Sequence, residues 1–171
     1  IRIARNPFDN IERVMTINHG QRNLGVDLIQ RIINYRTDDD IIQLAINTFI
    51  ASFVLMGANM TDMYNAIANG DIWEYQRQKT SNRRQDHAFM RVKLTNKIKS
   101  VLNRLGFDDK QLMPAVSSRY KDVFTATNRV NAALDRWCKI EGIPKYTMYA
   151  ARHSWASIAR SIGIEKETID E

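Results

Sequence analysis

Apolar residues recur along the first third of the chain with a spacing that predicts two consecutive helices. In residues 25–36 they fall three and four positions apart, on one helix face: Val26, Leu28, Ile29, Ile32 and Ile33. Residues 37–58 are apolar nearly all round, which is typical of a central, buried helix. Thr37 to Asp40 supply N-cap and first-turn groups for it. Residues 59–67 predict a short helix capped by Asn59.

The pattern then changes to alternation, which predicts a β-hairpin. One strand alternates two sets of side chains: Ile72, Glu74 and Gln76 against Trp73, Tyr75 and Arg77. A second β-like run covers residues 87–94, and the polar residues 81–86 between the runs predict a basic turn. Three helical segments follow, ending at Gly106, Gly142 and Gly163, and residues 163–171 begin another helical pattern. We therefore predict a mainly α fold with a small antiparallel β-sheet at one edge.

Composition places the chain among globular proteins and adds a positive charge. Its 171 residues are 44% hydrophobic, enough for one domain with a real core, and the net charge is +6. This excess favours an anionic partner such as nucleic acid, although solubility alone would also explain it. The single cysteine, Cys138, excludes an internal disulfide, and no apolar run is long enough to span a membrane. We expect a soluble protein of a reducing compartment, the cytoplasm.

Basic side chains are concentrated at two places that are candidates for phosphate binding. They are Arg77, Lys79, Arg83 and Arg84 in the predicted hairpin, and Arg152, which precedes His153, on the last helix. Arg grips a phosphate with two parallel hydrogen bonds, and Lys acts as a point charge or proton donor. From the residues alone, the hairpin can equally be a solvated turn, Arg152 a surface residue and His153 a core histidine.

The last helix weakens the surface interpretation of Arg152. Its predicted apolar face places Arg152 beside the buried positions: Met148, Ala151, Trp155, Ile158 and Ile162. Metal and cofactor sites find less support, because the three histidines lie in unrelated contexts and the seven glycines are scattered. The acidic residues 38–40 are better explained as a helix N-terminus than as metal ligands. We expect neither a metal nor a cofactor.

Three segments, taken in order, resemble the tyrosine recombinases, the family of phage and transposon integrases. The segment "YTMYAARHSWAS" looks like the family's second conserved box, which normally reads His-x-x-Arg-His. "EYQRQKT" is similar to the hairpin strand that carries the catalytic lysine, and "FVLMGANMTDMYNA" resembles the first box, Gly-x-Arg-x-x-Glu. The resemblance covers roughly residues 22–171, and its wording is closest to integrases of Bacteroides-type mobile elements.

The resemblance implies a recombinase catalytic domain in residues 22–171, preceded by a linker, residues 1–21, from an N-terminal core-binding domain. The family cleaves double-stranded DNA through a 3′-phosphotyrosine intermediate, without metal or cofactor. Arg152 corresponds to the second catalytic arginine, Lys79 to the general acid, and His153 to the box's second histidine. Arg77, Arg83 and Arg84 become DNA-binding candidates. Relatives act as tetramers on DNA, and we expect the 171-residue chain alone to be a monomer.

The sequence departs from the family pattern at two positions. Asn59 stands where the first arginine is expected, and Tyr149 stands where the first histidine is expected. A phenol donates a hydrogen bond to a phosphate oxygen but is a poor base near neutral pH. Arg83 or Arg84 is a candidate to replace the missing arginine. The nucleophilic tyrosine is expected beyond Glu171, so we expect the 171 residues to be catalytically incomplete.

Two other functions stay open at this point. The parent can be a DNA-binding relative that has lost its chemistry, which the two departures favour. Alternatively, the chain is a basic helical scaffold for protein or RNA, in which Arg152 and Lys79 lie far apart and face open solvent. The DNA target sequence and the mobile element are not readable from these residues.

Overall fold

A computed structural model describes residues 23–77 and 89–164, and within them the chain is mainly helical. The helices are α1 (Val26–Asn34), α2 (Asp40–Val54), α3 (Met60–Met63), α4 (Asn96–Leu102), α5 (Pro114–Ser117), α6 (Val123–Ile140) and α7 (Tyr149–Ser161). Strands β1 (Ile72–Gln76) and β2 (Phe89–Lys93) form a two-stranded antiparallel sheet. The prediction of a mainly α fold with a small antiparallel sheet is confirmed. The predicted linker and the helical pattern after residue 164 lie outside the described residues.

Helix α2 is the centre of the core. The Asp39 carboxylate caps it by accepting hydrogen bonds from the backbone N–H groups of Ile41 and Ile42, at 3.1 and 3.0 Å. Helices α1, α4, α6 and α7 all pack against it. The predicted all-round burial is confirmed by a continuous run of buried residues from Ala45 to Ser52. The middle and second half of α2 are therefore enclosed by the domain, whereas Asp40 and Ile41 at its beginning are exposed.

The hairpin follows the predicted alternation. Trp73 pairs with Val92 across the two strands, and both are buried. Tyr75 lies on the same face of β1 as Trp73 and stacks on it, with ring centroids 4.0 Å apart. The outward positions Glu74 and Arg91 form an ion pair at 3.2 Å. One face of the sheet is thus part of the core, and the other faces solvent.

Glycines end the three later helical segments as predicted. Gly106, Gly142 and Gly163 have φ angles of 79°, 64° and 87°, the left-handed conformation that glycine adopts without steric strain. The sequence did not predict α5, which begins with Pro114. A single helical turn is too short to leave a periodic pattern, and proline at its first position is the one local signal.

The buried face of α7 differs from the prediction at its C-terminal end. The fully buried positions are the small ones: Ala150, Ala151, Ser154 and Ala159. Ile162, predicted to be buried, is 72% exposed because it follows the last helical turn. Small side chains let α7 approach α2 closely, and the buried Ser154 hydroxyl accepts a hydrogen bond from the Leu24 N–H at 2.8 Å. Within residues 23–77 and 89–164, no helix combines the length and apolar character that a membrane span needs.

Candidate phosphate-binding site

A cavity of about 540 Å³ opens where the turn after α2 meets α3, α6 and the N-terminus of α7. Its lining includes Asn59, Asp62, Thr127, Asn131, Tyr149 and Arg152. Three predicted site residues, Asn59, Tyr149 and Arg152, therefore meet in one place although about ninety residues separate the first from the other two. We call this cavity the Arg152 pocket.

The turn that follows α2 brings Asn59 to the pocket. Met56 and Gly57 both have positive φ angles, 57° and 71°, so the chain reverses sharply there. The Gly57 N–H donates to the Ser52 carbonyl at 2.8 Å, and the Ser52 hydroxyl donates to the Ala58 carbonyl at 2.7 Å. Because this hydroxyl is buried and hydrogen-bonded, the turn has one preferred geometry.

The same turn fixes the position of Arg152. A Cβ atom placed on Gly57 would lie 2.5 Å from the Arg152 Cα and 2.8 Å from its Cβ. Glycine is therefore required twice, for its positive φ and for the space that the Arg152 backbone occupies. The guanidinium of Arg152 forms no ion pair with any carboxylate of the described residues. Arg152 is thus held by its backbone and stem, and it lines the pocket together with Asn59 and Tyr149.

The sequence predicts that Asn59 caps α3. In the structure Asn59 occupies the N-cap position, but its side chain does not act as the cap. The half-buried amide is at the pocket wall instead. An amide N–H is a neutral donor, so Asn59 can contribute a hydrogen bond to a phosphate oxygen without adding charge.

Tyr149 and His153 lie one helical turn apart on α7. Their rings meet edge to face, with centroids 4.5 Å apart and an interplanar angle of 89°. Tyr149 is half exposed and lines the pocket, whereas His153 is half-buried behind it. This contact restricts the orientation of the Tyr149 ring, which lines the same pocket as Arg152.

Sequence reasoning missed the contribution of α6. The Asn131 side-chain oxygen accepts a hydrogen bond from the backbone N–H of Met148 at 2.8 Å, which ties α6 to the beginning of α7. Thr127, one turn earlier on α6, lines the pocket with Asn131. Two polar residues four apart on one face of an otherwise half-buried helix were the only local signal.

An acidic residue, Asp62, also lines the pocket and connects it to the hairpin. The pKa of Tyr75 is raised to about 12, first by burial and then by the Asp62 charge, while the Arg77 charge opposes the rise. The side chain of Arg77 is only 8% exposed, so it lies inside the domain next to this group. The predicted contact of Arg77 with DNA stays a prediction. The burial of the Arg77 side chain favours a role in positioning the end of β1.

The other predicted basic residues, Lys79, Arg83 and Arg84, lie outside the described residues. Among residues 23–77 and 89–164, no group of three or more His, Cys, Asp or Glu side chains is arranged to hold a metal ion. The pocket therefore offers hydrogen-bond donors and one guanidinium that makes no ion pair within the described residues, which suits binding of a phosphate oxyanion. No family model, no curated protein and no solved structure matches the chain.

Proposed function

We propose that the chain is the catalytic domain of a tyrosine-type site-specific DNA recombinase and that the Arg152 pocket binds the scissile phosphate. The observation that carries the proposal is the convergence of Asn59, Tyr149 and Arg152 on one cavity. These residues come from two separate segments that resemble the first and second boxes of the family. Their meeting in space supports the resemblance beyond the order of the segments along the chain.

The chemistry of each side chain fits a role at a phosphodiester. In this proposal Arg152 holds the nonbridging oxygens with two parallel hydrogen bonds, which stabilises the charge that builds in the transition state. Asn59 and Tyr149 add neutral donors to the same oxygens. Lys79 is proposed as the general acid for the leaving 5′-oxygen. Tyr149 is not proposed as the nucleophile.

Further DNA contacts are proposed along the exposed side of α6. Asn128 and Arg129 are exposed on this helix; Asn128 lies one turn before Asn131, whereas Arg129 projects from the side of α6 opposite the two residues that line the pocket. Amide and guanidinium side chains on an exposed helix are suited to base edges and phosphates in the major groove. A duplex that contacts Asn128 would therefore lie near the Arg152 pocket, and α6 would help to position it.

The second candidate is a DNA-binding relative without catalytic activity. Two features of the pocket favour it: the uncharged Asn59, and the carboxylate of Asp62, which offsets part of the Arg152 charge. Such a protein would still bind phosphate but would stabilise a pentacovalent transition state poorly. The third possibility, a scaffold with Arg152 and Lys79 far apart, depends on Lys79 and therefore lies outside the described residues.

Formation of a covalent adduct separates the two candidates. The full-length protein is mixed with nicked duplex DNA from the end of its own element, and adducts are resolved on a denaturing gel. Arg152→Ala and Lys79→Ala are compared with Arg119→Ala, an exposed arginine outside the pocket. We expect an adduct that Arg152→Ala and Lys79→Ala each reduce by about a hundredfold or more and that the control retains. Salt-sensitive DNA binding without any adduct would overturn the catalytic proposal and favour the binding relative.

A further inference from the structure

A second cavity, of about 410 Å³, lies at the opposite end of α2 from the Arg152 pocket. It is lined by Arg36, Thr37, Asp38, Gln43, Asn47 and Arg104. Gln43 and Ser52, which belong to the two cavities, are separated by roughly 14 Å along the helix axis. The two sites are therefore distinct, and neither arginine of the second cavity has a role in the function proposed above.

Both arginines are held in place by the C-terminal end of α1. Arg104 donates to the Ile33 carbonyl at 3.2 Å, and Arg36 donates to the same carbonyl at 3.0 Å. Capping of a helix C-terminus explains these bonds. It uses one nitrogen of each side chain, whereas a guanidinium carries five N–H donors. The remaining donors are available to a group inside the cavity.

Neither Arg36 nor Arg104 has a direct acidic partner within residues 23–77 and 89–164, because no carboxylate there forms an ion pair with either side chain. Burial lowers the pKa of Arg104, and the neighbouring charge of Arg36 lowers it further. Asp38 is exposed in the same lining and offsets part of this charge. Two like charges held side by side are stabilised when an anion lies between them.

The amide groups behind the arginines are already ordered. Gln43 donates to the Asn47 side-chain oxygen at 3.1 Å and accepts from the Thr37 N–H at 3.0 Å. Asn47 is only 7% exposed, so the floor of the cavity is polar, buried and hydrogen-bonded. A rigid polar floor beneath two fixed guanidinium groups suits a tetrahedral oxyanion, whose oxygens accept several hydrogen bonds at once.

We propose that the pocket formed by Arg36 and Arg104 is a second oxyanion site that binds a phosphate group, either as free phosphate or as a phosphate of a nucleic-acid backbone. The inference does not depend on the recombinase proposal. A domain that serves other chemistry at the Arg152 pocket would still carry this second site.

Phosphate titration followed by NMR tests the inference with local resolution. Sodium phosphate is added to the isotopically labelled chain at constant ionic strength, and sodium chloride serves as the matched control. The Thr37 backbone amide and the side-chain amides of Gln43 and Asn47 report on the second site. The Gly57 amide reports on the Arg152 pocket, so failure of one proposal is distinguished from failure of the other.

Two variants of the second cavity are expected to change its affinity for phosphate in opposite directions. Arg36→Gln, at an exposed position, is expected to weaken phosphate binding about tenfold, and Asp38→Asn to strengthen it about threefold. Lys97 is an exposed lysine on α4, so Lys97→Gln removes the same charge elsewhere and should change the affinity for phosphate little. Unchanged amide spectra of unliganded Arg36→Gln, apart from the mutated site, establish that it is folded.

Duplex DNA then distinguishes the two sources of phosphate. If the nucleic-acid backbone occupies the site, a duplex shifts the same three reporters, and Arg36→Gln reduces the slope of log K against log salt by about 0.9. If the reporters respond to phosphate but not to DNA, the ligand is a free phosphate. Equal shifts with chloride, or equal affinities for Arg36→Gln and Lys97→Gln, overturn the inference.

Discussion

Gly57 and Arg152 are in direct contact, and the contact leaves no room for a side chain on the glycine: a Cβ there would lie 2.5 Å from the Arg152 Cα. The turn after α2 and the second turn of α7 are therefore fitted to each other at the backbone. This relationship places the guanidinium of Arg152 in the same cavity as the Asn59 amide. The position of Arg152 can therefore be tested by substituting Gly57, which has no side chain that could bind a ligand or take part in catalysis.

Gly57→Ala is expected to destabilise the domain by roughly 3 kcal/mol or more, since it combines left-handed backbone strain with steric overlap against Arg152. Gly70→Ala is the matched control, because Gly70 also has a positive φ, 60°, but has no atom within 4 Å of an added Cβ. It should lose only about 1 kcal/mol. Urea unfolding measures both values, and equal losses would contradict the close approach.

Asn59→Arg is expected to strengthen DNA binding, because it adds a charge to the Arg152 pocket at a side chain that makes no capping bond. If the new guanidinium engages one phosphate, the slope of log K against log salt becomes steeper by about 0.9. Asn96→Arg, at an exposed position on α4, adds the same charge elsewhere. Fluorescence anisotropy of a labelled duplex at several salt concentrations gives the slope for each variant. Identical slopes for Asn59→Arg and Asn96→Arg would show that the pocket does not contact DNA.

Two buried tyrosines are expected to respond oppositely to loss of the hydroxyl. The Tyr64 hydroxyl donates to the Tyr120 carbonyl, so Tyr64→Phe should lose about 1 kcal/mol of stability. The buried Tyr146 hydroxyl has no hydrogen-bond partner among the described residues, and burial raises its pKa. Tyr146→Phe should therefore be neutral or stabilising. Thermal unfolding measures the stability of both variants. If Tyr146→Phe lost as much stability as Tyr64→Phe, the Tyr146 hydroxyl would not be an unsatisfied donor.

Acid is expected to weaken the N-termini of α2 and α6. Hydrogen bonds from the Ile42 and Thr125 backbones lower the pKa of Asp39 and of Asp122, respectively, below the usual 3.8. A lowered folded-state pKa contributes stability above the unfolded value, and this contribution is lost as the pH falls through the folded value. Stability should therefore decline below about pH 4. The Asp39→Asn/Asp122→Asn double variant keeps both cap acceptors and should show a flatter profile in urea unfolding between pH 2 and 6.

The sequence alone determined the longer helices, the two strands and the glycines that end the later helical segments, but not the short helix α5. Local rules suffice for these features: apolar spacing along 26–33, alternation along 72–77, and glycine after each later helix. The resemblance of short segments also named Asn59, Tyr149 and Arg152 as one candidate site. These patterns involve residues only a few positions apart, so they predict helices and strands without any knowledge of which distant residues are in contact.

Only the tertiary structure decided which distant residues meet. The Gly57–Arg152 contact, the bond from Met148 to Asn131 and the pairing of Arg36 with Arg104 join segments that no local pattern connects. It also decided burial at the ends of elements: Arg77 is enclosed although it is charged, and Ile162 is exposed although it is apolar. Packing between elements sets these outcomes, because close approach depends on the facing side chains of both partners rather than on either segment alone.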